Sequence, residues 1–444
     1  MVVDTLIHAR WVLPVVPDTV LDHHSLAIDA GRIVDLLPTN EARQRYQAAA
    51  VIECPDHAVL PGLINAHTHA AMNLLKGLAD DLPLMTWLND HIWPAEQRWL
   101  SENFVRDGTN LAIAEMLRGG VTTFNDMYLF PETAARCVQQ TGIRAVIGLI
   151  AIDFPTPWAS DADDYLRKGL ALHDELKSET LITTAFAPHA PYTVSDDPLQ
   201  RIATLANELG LPIHIHLHET ASEVEDAVAK TGERPIRRLH RLGLLDHRLM
   251  AVHMTQLDDD DIALAATQRI HVIHCPESNL KLASGVCPVP ALLQAGVNVA
   301  LGTDSSASNN DLDLFSEMRT AALLGKGLSG DAAALPAGTL LAMATINGAR
   351  ALGIDDRAGS LETGKAADLI AVNLNHIATQ PLYDPRSALI YAASRQQVEH
   401  VWVAGRCLLS HGQLTTLDET DLLDRAREWG KKIAASDSQP AACD

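Results

Sequence analysis

Histidines and carboxylates at the ends of strand-like runs are the residues of this sequence best suited to chemistry. His67 and His69 close an apolar run that begins at Ala58. Because side chains alternate across a strand, residues two apart project on the same side, so these imidazoles could hold one metal ion. A pair of this kind is equally compatible with ordinary buried or surface histidines. A metal site therefore requires further ligands, and candidates occur at the ends of later runs.

Eight strand-like runs alternate with segments of helical periodicity in the middle of the chain. The runs cover residues 58–69, 120–126, 144–150, 181–187, 212–216, 249–253, 270–274 and 298–304. In an α/β protein this alternation predicts a (β/α)8 TIM-type barrel, and a doubly wound open sheet is the alternative. Polar residues at or just past the carboxyl ends of the strands favour the barrel, because barrel active sites assemble at that face. They are His67, His69, His189, His216, Glu219, His253, His274 and Asp304.

Short β-like runs flank this middle section at both ends of the chain. We predict that residues 1–57 and residues 366–444 pair into one small β-sandwich domain, with a helix near the C-terminus. The barrel would then occupy residues 58–365. The predicted architecture is a barrel carrying one additional domain built from both chain ends.

Composition excludes several classes of partner. The net charge is -22, from 34 Lys+Arg against 56 Asp+Glu, and it would repel nucleic acid and anionic lipid. No run of about 18 apolar residues suggests a membrane span, and the N-terminus lacks a signal-peptide pattern. The six cysteines show no CxxC spacing, which argues against disulfides and a thiolate metal site. These features predict a cytoplasmic protein with neither a nucleic-acid nor a membrane partner.

One metal ion is predicted on His67, His69, His216 and Asp304. These residues supply three imidazoles and one carboxylate, and barrel closure would bring the last strand beside the first. The end of the fourth strand offers no bridging lysine, which favours one metal over two. Imidazole ligands suit zinc and iron alike. A helix N-cap is the alternative role for Asp304.

Two further residues are predicted to handle protons or orient the attacking water. Glu219 follows His216 by three residues and suits a proton shuttle between water and substrate, with a helix-starting Glu as the alternative. His253 could hydrogen-bond the attacking hydroxide. His214 is interpreted as a support or core residue, and His218 as facing away from the site.

Several stretches together carry a resemblance to a known superfamily. Residues 61–69, 216–220, 274–282, 301–310 and 359–369 resemble the amidohydrolase superfamily, in its branch of cytosine, guanine and adenosine-type deaminases and triazine hydrolases. The resemblance covers nearly the whole chain. It implies a metal-dependent hydrolase, most simply with zinc and alternatively with iron.

Within that branch, the sequence is similar to the 5-methylthioadenosine/S-adenosylhomocysteine deaminase family. The resemblance implies that Trp87 stacks on the purine, that Glu96 binds the ribose and that His189 contacts the substrate, with Glu219 and Asp304 also facing it. The implied partner is a small purine nucleoside. A homo-oligomer, either a dimer or a tetramer, is expected on the same basis.

One departure from the family concerns the amino-acid carboxylate of S-adenosylhomocysteine. Family members that accept it use arginines between the third and fourth strands, whereas residues 148–158 here are apolar with one Asp. Arg167 is the nearest candidate for a carboxylate clamp. The sequence therefore favours 5'-methylthioadenosine over S-adenosylhomocysteine, with adenosine as a further possible substrate.

The predicted reaction is hydrolytic deamination to the inosine analogue and ammonia. A metal-activated water would attack C6 of the purine, Glu219 would carry its proton to the ring nitrogen, and His253 and Asp304 would steady the intermediate. Two alternatives stay open. One is a guanine or 8-oxopurine deaminase or a triazine chlorohydrolase on the same scaffold, and the other is a barrel that acts without catalysis.

Overall fold

Sixteen strands form two separate sheets in the computed structural model, which describes residues 1–437. In chain order the strands are β1 Val2–Val12, β2 Leu21–Asp29, β3 Arg32–Pro38, β4 Gln47–Pro61, β5 Leu63–Thr68, β6 Val121–Asp126, β7 Arg144–Ala151, β8 Ile182–Pro188, β9 Ile213–Leu217, β10 Leu249–His253, β11 His271–His274, β12 Asn298–Leu301, β13 Leu369–Asn373, β14 Val398–Val403, β15 Arg406–Ser410 and β16 Gln413–Leu414. Strands β5 to β12 form one sheet, and the strands from the two chain ends form the other.

The barrel prediction is confirmed. Strands β5 to β12 pair in parallel and in sequence order. The amide of Asp304 donates to the carbonyl of His67 at 3.0 Å, which brings the end of β12 beside β5. The Asn65 side chain adds two hydrogen bonds to Thr303, at 2.8 and 3.0 Å. Barrel closure therefore places Asp304 next to the first two histidines.

Most of the helices lie around the barrel, whereas the first helix of the chain contacts β2 and β3 of the second sheet. They are α1 Thr39–Arg45, α2 Leu84–Trp87, α3 Trp93–Trp99, α4 Glu102–Arg118, α5 Pro131–Thr141, α6 Ala162–Leu176, α7 Asp196–Leu209, α8 Ala221–Thr231, α9 Pro235–Arg241, α10 Asp259–Gln268, α11 Pro276–Lys281, α12 Val289–Gln294, α13 Ser306–Asn309, α14 Leu314–Ser329, α15 Ala337–Met343, α16 Ile346–Ala351, α17 Pro385–Tyr391 and α18 Glu419–Asp437. Within residues 1–437, no helix has the length and apolar character needed to cross a membrane.

The second sheet joins the two ends of the chain. Its strand order is β16-β15-β14-β13-β4-β1-β2-β3, so β13 from the C-terminal part pairs antiparallel with β4 from the N-terminal part. The apolar run that leads to His67 is divided between the two sheets: β4 ends at Pro61, and β5 begins at Leu63. Gly62 lies between them, and a Cβ there would lie 2.1 Å from the Thr122 side chain, so the crossing requires glycine.

Candidate active site

Four side chains converge at the carboxyl ends of the barrel strands. His67, His69, His216 and Asp304 each offer one ligand atom, and these atoms all lie within 4.8 Å of one another. Asp304 Oδ1 lies 3.2 Å from His67 Nε2 and 3.3 Å from His69 Nε2. His216 Nε2 lies 3.3 Å from the Nε2 atoms of both other histidines. The group could hold one metal ion.

Contacts behind the three imidazoles fix which nitrogen faces the cluster. The Nδ1–H of His69 donates to the Met127 carbonyl, and that of His216 donates to the His189 carbonyl at 2.7 Å. His67 Nδ1 lies 2.9 Å from His214 Nε2. With Nδ1 protonated, each ring presents the lone pair of Nε2 to the same point. Three converging lone pairs and a carboxylate suit a cation, so the donor set fits a divalent metal.

Asp304 is held with one oxygen toward the histidines. Its Oδ2 accepts hydrogen bonds from Ser278 Oγ at 2.6 Å and Ser308 Oγ at 2.8 Å, which leaves Oδ1 for the cluster. Burial alone would raise the pKa of Asp304, but the adjacent His67 and His69 side chains lower it well below its ordinary value. Asp304 is not a helix cap, because Ser305 caps α13. The carboxyl group is therefore ionised, as a metal ligand must be.

Glu219 lies in the loop between β9 and α8, at the edge of the cluster. His218 has φ 52°, a left-handed conformation that turns the chain after β9. Thr220 caps α8, so Glu219 lies outside the helix and is not a helix-starting residue. The amide of Glu219 donates to Glu223 Oε2 at 2.7 Å. Burial, followed by the charges of Asp304 and Glu223, raises the pKa of Glu219 well above its ordinary value.

His253 lies between Glu219 and a supporting amide. Its Nε2 is 3.7 Å from Glu219 Oε2, while its Nδ1 is 3.0 Å from the amide nitrogen of Asn279. Because the Asn279 amide donates to Nδ1, the ring proton of His253 is on Nε2, facing Glu219. His218 lies away from the cluster, where its Nε2 accepts from the amide of Ile236 at 3.1 Å.

A cavity of about 850 Å³, counting its open mouth, connects the cluster to solvent. Trp87 and Glu96 both line it, although nine residues of regular α-helix make about two and a half turns and would put them on opposite faces. A π-helical turn, Leu88–Ile92, separates α2 from α3 and changes this rotation. The helix irregularity thus allows an aromatic face and a carboxylate to share one cavity.

His189 also lines the cavity, beside the cluster. Its carbonyl accepts from His216, and its Nδ1 lies 3.0 Å from Thr193 Oγ1, so its Nε2 is available to a ligand. Burial, followed by the charges of His69 and His67, lowers the pKa of His189 to about 3. At neutral pH the ring is therefore neutral.

Part of the cavity wall is apolar. Trp93 and Phe154 line it as an edge-to-face pair with ring centroids 6.3 Å apart, together with Ile150 and Ile152. Among the cavity-lining residues in the described chain, none is Lys or Arg. Arg167 does not reach the cavity, because its side chain is 69% exposed and pairs with Asp164 on α6. This region therefore offers no clamp for a carboxylate.

The family follows from comparison with known proteins. Residues 58–408 match the sequence pattern of the amidohydrolase family. The chain belongs to the amidohydrolase family. A 5-methylthioadenosine/S-adenosylhomocysteine deaminase from Saccharophagus degradans is 52% identical to this amidohydrolase over 433 residues, which are 97% of each chain. The deaminase of the same name from Teredinibacter turnerae is 50% identical over 434 residues, 98% of each chain.

Two solved structures are similar to this amidohydrolase. A crystal structure of an adenosine deaminase from Xanthomonas campestris with bound zinc matches this amidohydrolase with a TM-score of 0.97 and 53% identity, covering 98% of this chain and 99% of that chain. The atrazine chlorohydrolase of Arthrobacter aurescens TC1, complexed with zinc, has a TM-score of 0.89 at 22% identity and covers 96% and 99%. At that identity the second likeness concerns the fold alone.

Four residues that hydrogen-bond to the candidate site residues of this amidohydrolase were not predicted from the sequence. Ser278 and Asn279 lie in the stretch 274–282, which signalled the family without indicating what each side chain does. Tyr128 donates from its hydroxyl to Glu96 Oε1 at 2.7 Å. Its only sequence signal is its position two residues after β6, at the face where the site assembles. Glu223 could have been recognised from its place three residues after the capping Thr220.

Proposed function

We propose that this protein is a hydrolytic deaminase of 5'-substituted adenosines, with 5'-methylthioadenosine as its preferred substrate. The observation that carries the proposal is that Glu219 lies beside the four-residue cluster in the same cavity as Trp87 and Glu96. A carboxyl group with a raised pKa, a metal-competent cluster, an aromatic face and a carboxylate for the ribose are the groups this reaction needs. The two deaminases named above are similar to this chain along nearly their full length.

His67, His69, His216 and Asp304 would hold the metal. When bound there, a divalent ion supplies Lewis acidity that makes water a nucleophile at neutral pH. Zinc is the ion we propose, since the similar Xanthomonas campestris structure contains zinc, although the ligand types would also suit iron.

Glu219 is proposed to move the protons. Its raised pKa allows it to give a proton to the purine ring nitrogen beside C6 and to take one from the attacking water. The oxygen of water bonds to C6, the second proton of that water passes to the amino group, and the C6–N bond breaks to release ammonia. His253, with its proton on Nε2, donates a hydrogen bond to the oxygen that adds to C6, and so orients it.

Trp87, Glu96 and His189 are proposed to hold the nucleoside in place. The indole of Trp87 gives the purine an apolar face, and Glu96 accepts hydrogen bonds from the ribose hydroxyls. The neutral ring of His189 has one nitrogen available for the substrate. Positioning of this kind fixes C6 near the cluster.

The apolar part of the cavity wall supports 5'-methylthioadenosine as the preferred substrate. A methylthio group would be buried among Trp93, Ile152 and Phe154, which favours it by the hydrophobic effect. The homocysteine moiety of S-adenosylhomocysteine carries a carboxylate, and no cation lines the described cavity to receive it.

Ammonia release by the metal-replete protein tests this proposal. We would compare 5'-methylthioadenosine, S-adenosylhomocysteine, adenosine and guanine in parallel, with metal content measured on the same sample. Fast release from the first and weak release from the second is the expected result. Release from none of the four, with one metal ion bound per chain, would contradict the proposal.

A further inference from the structure

A second cluster of metal-ligating side chains lies on the sheet built from the chain ends. Glu399 and His400 belong to β14, and His411 lies in the turn between β15 and β16. One ligand atom from each lies within 4.8 Å of the others. This cluster belongs to a different sheet from the barrel site and shares no residue with it.

A β-bulge brings Glu399 and His400 to the same side of their strand. Neighbouring residues of a regular strand face opposite sides of the sheet. Here Ala371 pairs with His400 and Val372 pairs with Val398, so the register shifts and Glu399 has no paired residue on β13. Bulges of this kind re-aim a side chain. The irregularity thus lets two adjacent side chains approach the same point.

The Glu399 carboxylate is held in place by two donors. His57 Nε2 lies 2.9 Å from its Oε2, and the Asn373 amide donates to its Oε1 at 2.8 Å. A carboxylate has about four lone-pair positions, so both oxygens can still bind a cation. Hydrogen-bonded carboxylates supported by a neighbouring imidazole are typical of metal sites.

His400 is buried without a hydrogen-bond partner for its ring. It is 3% exposed, and no hydrogen bond to its ring nitrogens occurs within residues 1–437. The ring stacks on Trp402, with centroids 5.3 Å apart, and meets His411 edge to face at 4.5 Å. With no partner among these residues, the ring nitrogens of His400 are available to a ligand.

His411 provides the access from solvent. It is exposed, and its φ of 49° is left-handed, as is that of Gly412 at 73°. The amide of Gly412 donates to the Glu399 carbonyl at 2.9 Å, which ties this turn to the bulge. His411 therefore lies on a turn whose backbone is hydrogen-bonded to the strand that carries Glu399 and His400.

We propose that Glu399, His400 and His411 form a second site for a divalent transition-metal ion of the Zn²⁺ class. Two imidazoles and one carboxylate form a ligand set that zinc uses, with the remaining position taken by water. The ion would cross-link the turn between β15 and β16 to β14. Because one ligand is exposed, we expect this ion to exchange more readily than the ion in the barrel.

Counting zinc on untagged protein tests the proposal. Metal-stripped wild type would be dialysed against excess Zn²⁺, and bound zinc would be measured per chain. We expect two ions for wild type and one for His411→Ala, with ammonia release unchanged in that variant. His240→Ala removes an exposed histidine of α9 and serves as the control, with two ions expected.

Two further variants assign each zinc ion to one of the two sites. His216→Ala should also bind one ion, because it removes a barrel ligand and leaves the second site intact. Glu399→Gln, which keeps the size of the side chain, should bind one ion as well. The proposal would be overturned by wild type that binds a single zinc ion, or by a His411→Ala variant that still binds two. Neither result depends on which substrate the barrel site accepts.

Discussion

Glu219 combines two features that a shuttling acid needs, burial and a nearby carboxylate charge. Both raise its pKa above that of an exposed glutamic acid. Glu219→Gln keeps the size of the side chain but cannot exchange a proton. We expect the rate of ammonia release to fall by about 10²- to 10⁴-fold, with metal content unchanged.

His216→Ala separates proton transfer from metal binding. It should lose both the activity and the barrel metal, because it removes one of three converging imidazoles. A Glu219→Gln protein that remained active would exclude Glu219 as the shuttle. Metal analysis and initial rates on the same samples decide between these outcomes.

Tyr128 holds the carboxylate of Glu96, the residue proposed to bind the ribose. The hydroxyl of Tyr128 is buried and donates to Glu96 Oε1 at 2.7 Å, so Tyr128→Phe would free the carboxylate to rotate. A hydrogen bond to a charged group contributes about 1.5–3 kcal/mol, and we expect the KM for 5'-methylthioadenosine to rise at least about tenfold with little change in kcat.

A substrate without ribose hydroxyls provides the control for Tyr128. The KM for 2',3'-dideoxyadenosine should be the same for wild type and Tyr128→Phe, because Glu96 has no hydroxyl to bind. Equal losses on both substrates would mean that Tyr128 supports the cavity in general. Metal content should not change in either case.

At the scale of the element, the β9–α8 connection holds Glu219 through a buried carboxyl. Glu223 accepts from the amides of His218 at 3.0 Å and Glu219 at 2.7 Å. Burial raises its pKa from 4.5 to about 7. Between these pH values the unfolded chain releases the proton and the folded chain keeps it. Folding stability therefore falls by about 3 kcal/mol as pH rises from 4.5 to 7.

Glu223→Gln should remove this pH dependence. The difference in unfolding free energy between wild type and variant should shift by about 3 kcal/mol in favour of the variant between pH 4.5 and pH 8. Urea unfolding at several pH values measures it, and subtraction cancels the groups that both proteins share. Glu225→Gln, an exposed position on the same helix, should show no such trend. A constant difference for Glu223→Gln would contradict the buried-carboxyl interpretation.

Regular elements were predictable from the sequence, whereas irregular ones were not. All eight barrel strands follow from their apolar runs, since parallel strands are buried on both faces. The π-helical turn Leu88–Ile92 breaks the period on which helix prediction depends. The continuous run from Ala58 gave no sign that β4 and β5 join different sheets. Tyr128 and Asn279 act through contacts that sequence spacing does not encode.

At the scale of the whole molecule, barrel closure explains why the clustering of His67, His69, His216 and Asp304 could be anticipated. The histidines of β5 and the carboxylate after β12 are more than 200 positions apart, yet a closed barrel makes their strands neighbours. The division into residues 1–57, 58–365 and 366–444 stays a prediction, as does the homo-oligomer. The last seven residues of the third segment lie outside the described residues.

A buried ion pair joins the barrel to the second sheet. Arg144 begins β7, and its Nε and Nη2 lie 2.7 and 3.2 Å from the two oxygens of Asp368, just before β13. Asp368 also accepts from the amide of Ala404 at 2.6 Å, and its carbonyl accepts from Gly62, where the chain passes between the sheets. Loss of the carboxylate would leave the Arg144 charge buried and unpaired at this junction.

Asp368→Ala should therefore lower the free energy of unfolding by about 3–5 kcal/mol. Glu53→Ala provides the control, since Glu53 lies on β4 of the same sheet and its exposed pair with Arg43 of α1 should contribute less than about 1 kcal/mol. Urea unfolding followed by circular dichroism compares the three proteins. Equal losses from the two substitutions would mean that the ion pair contributes little. A larger loss in Asp368→Ala would identify this pair as a main connection between the two sheets.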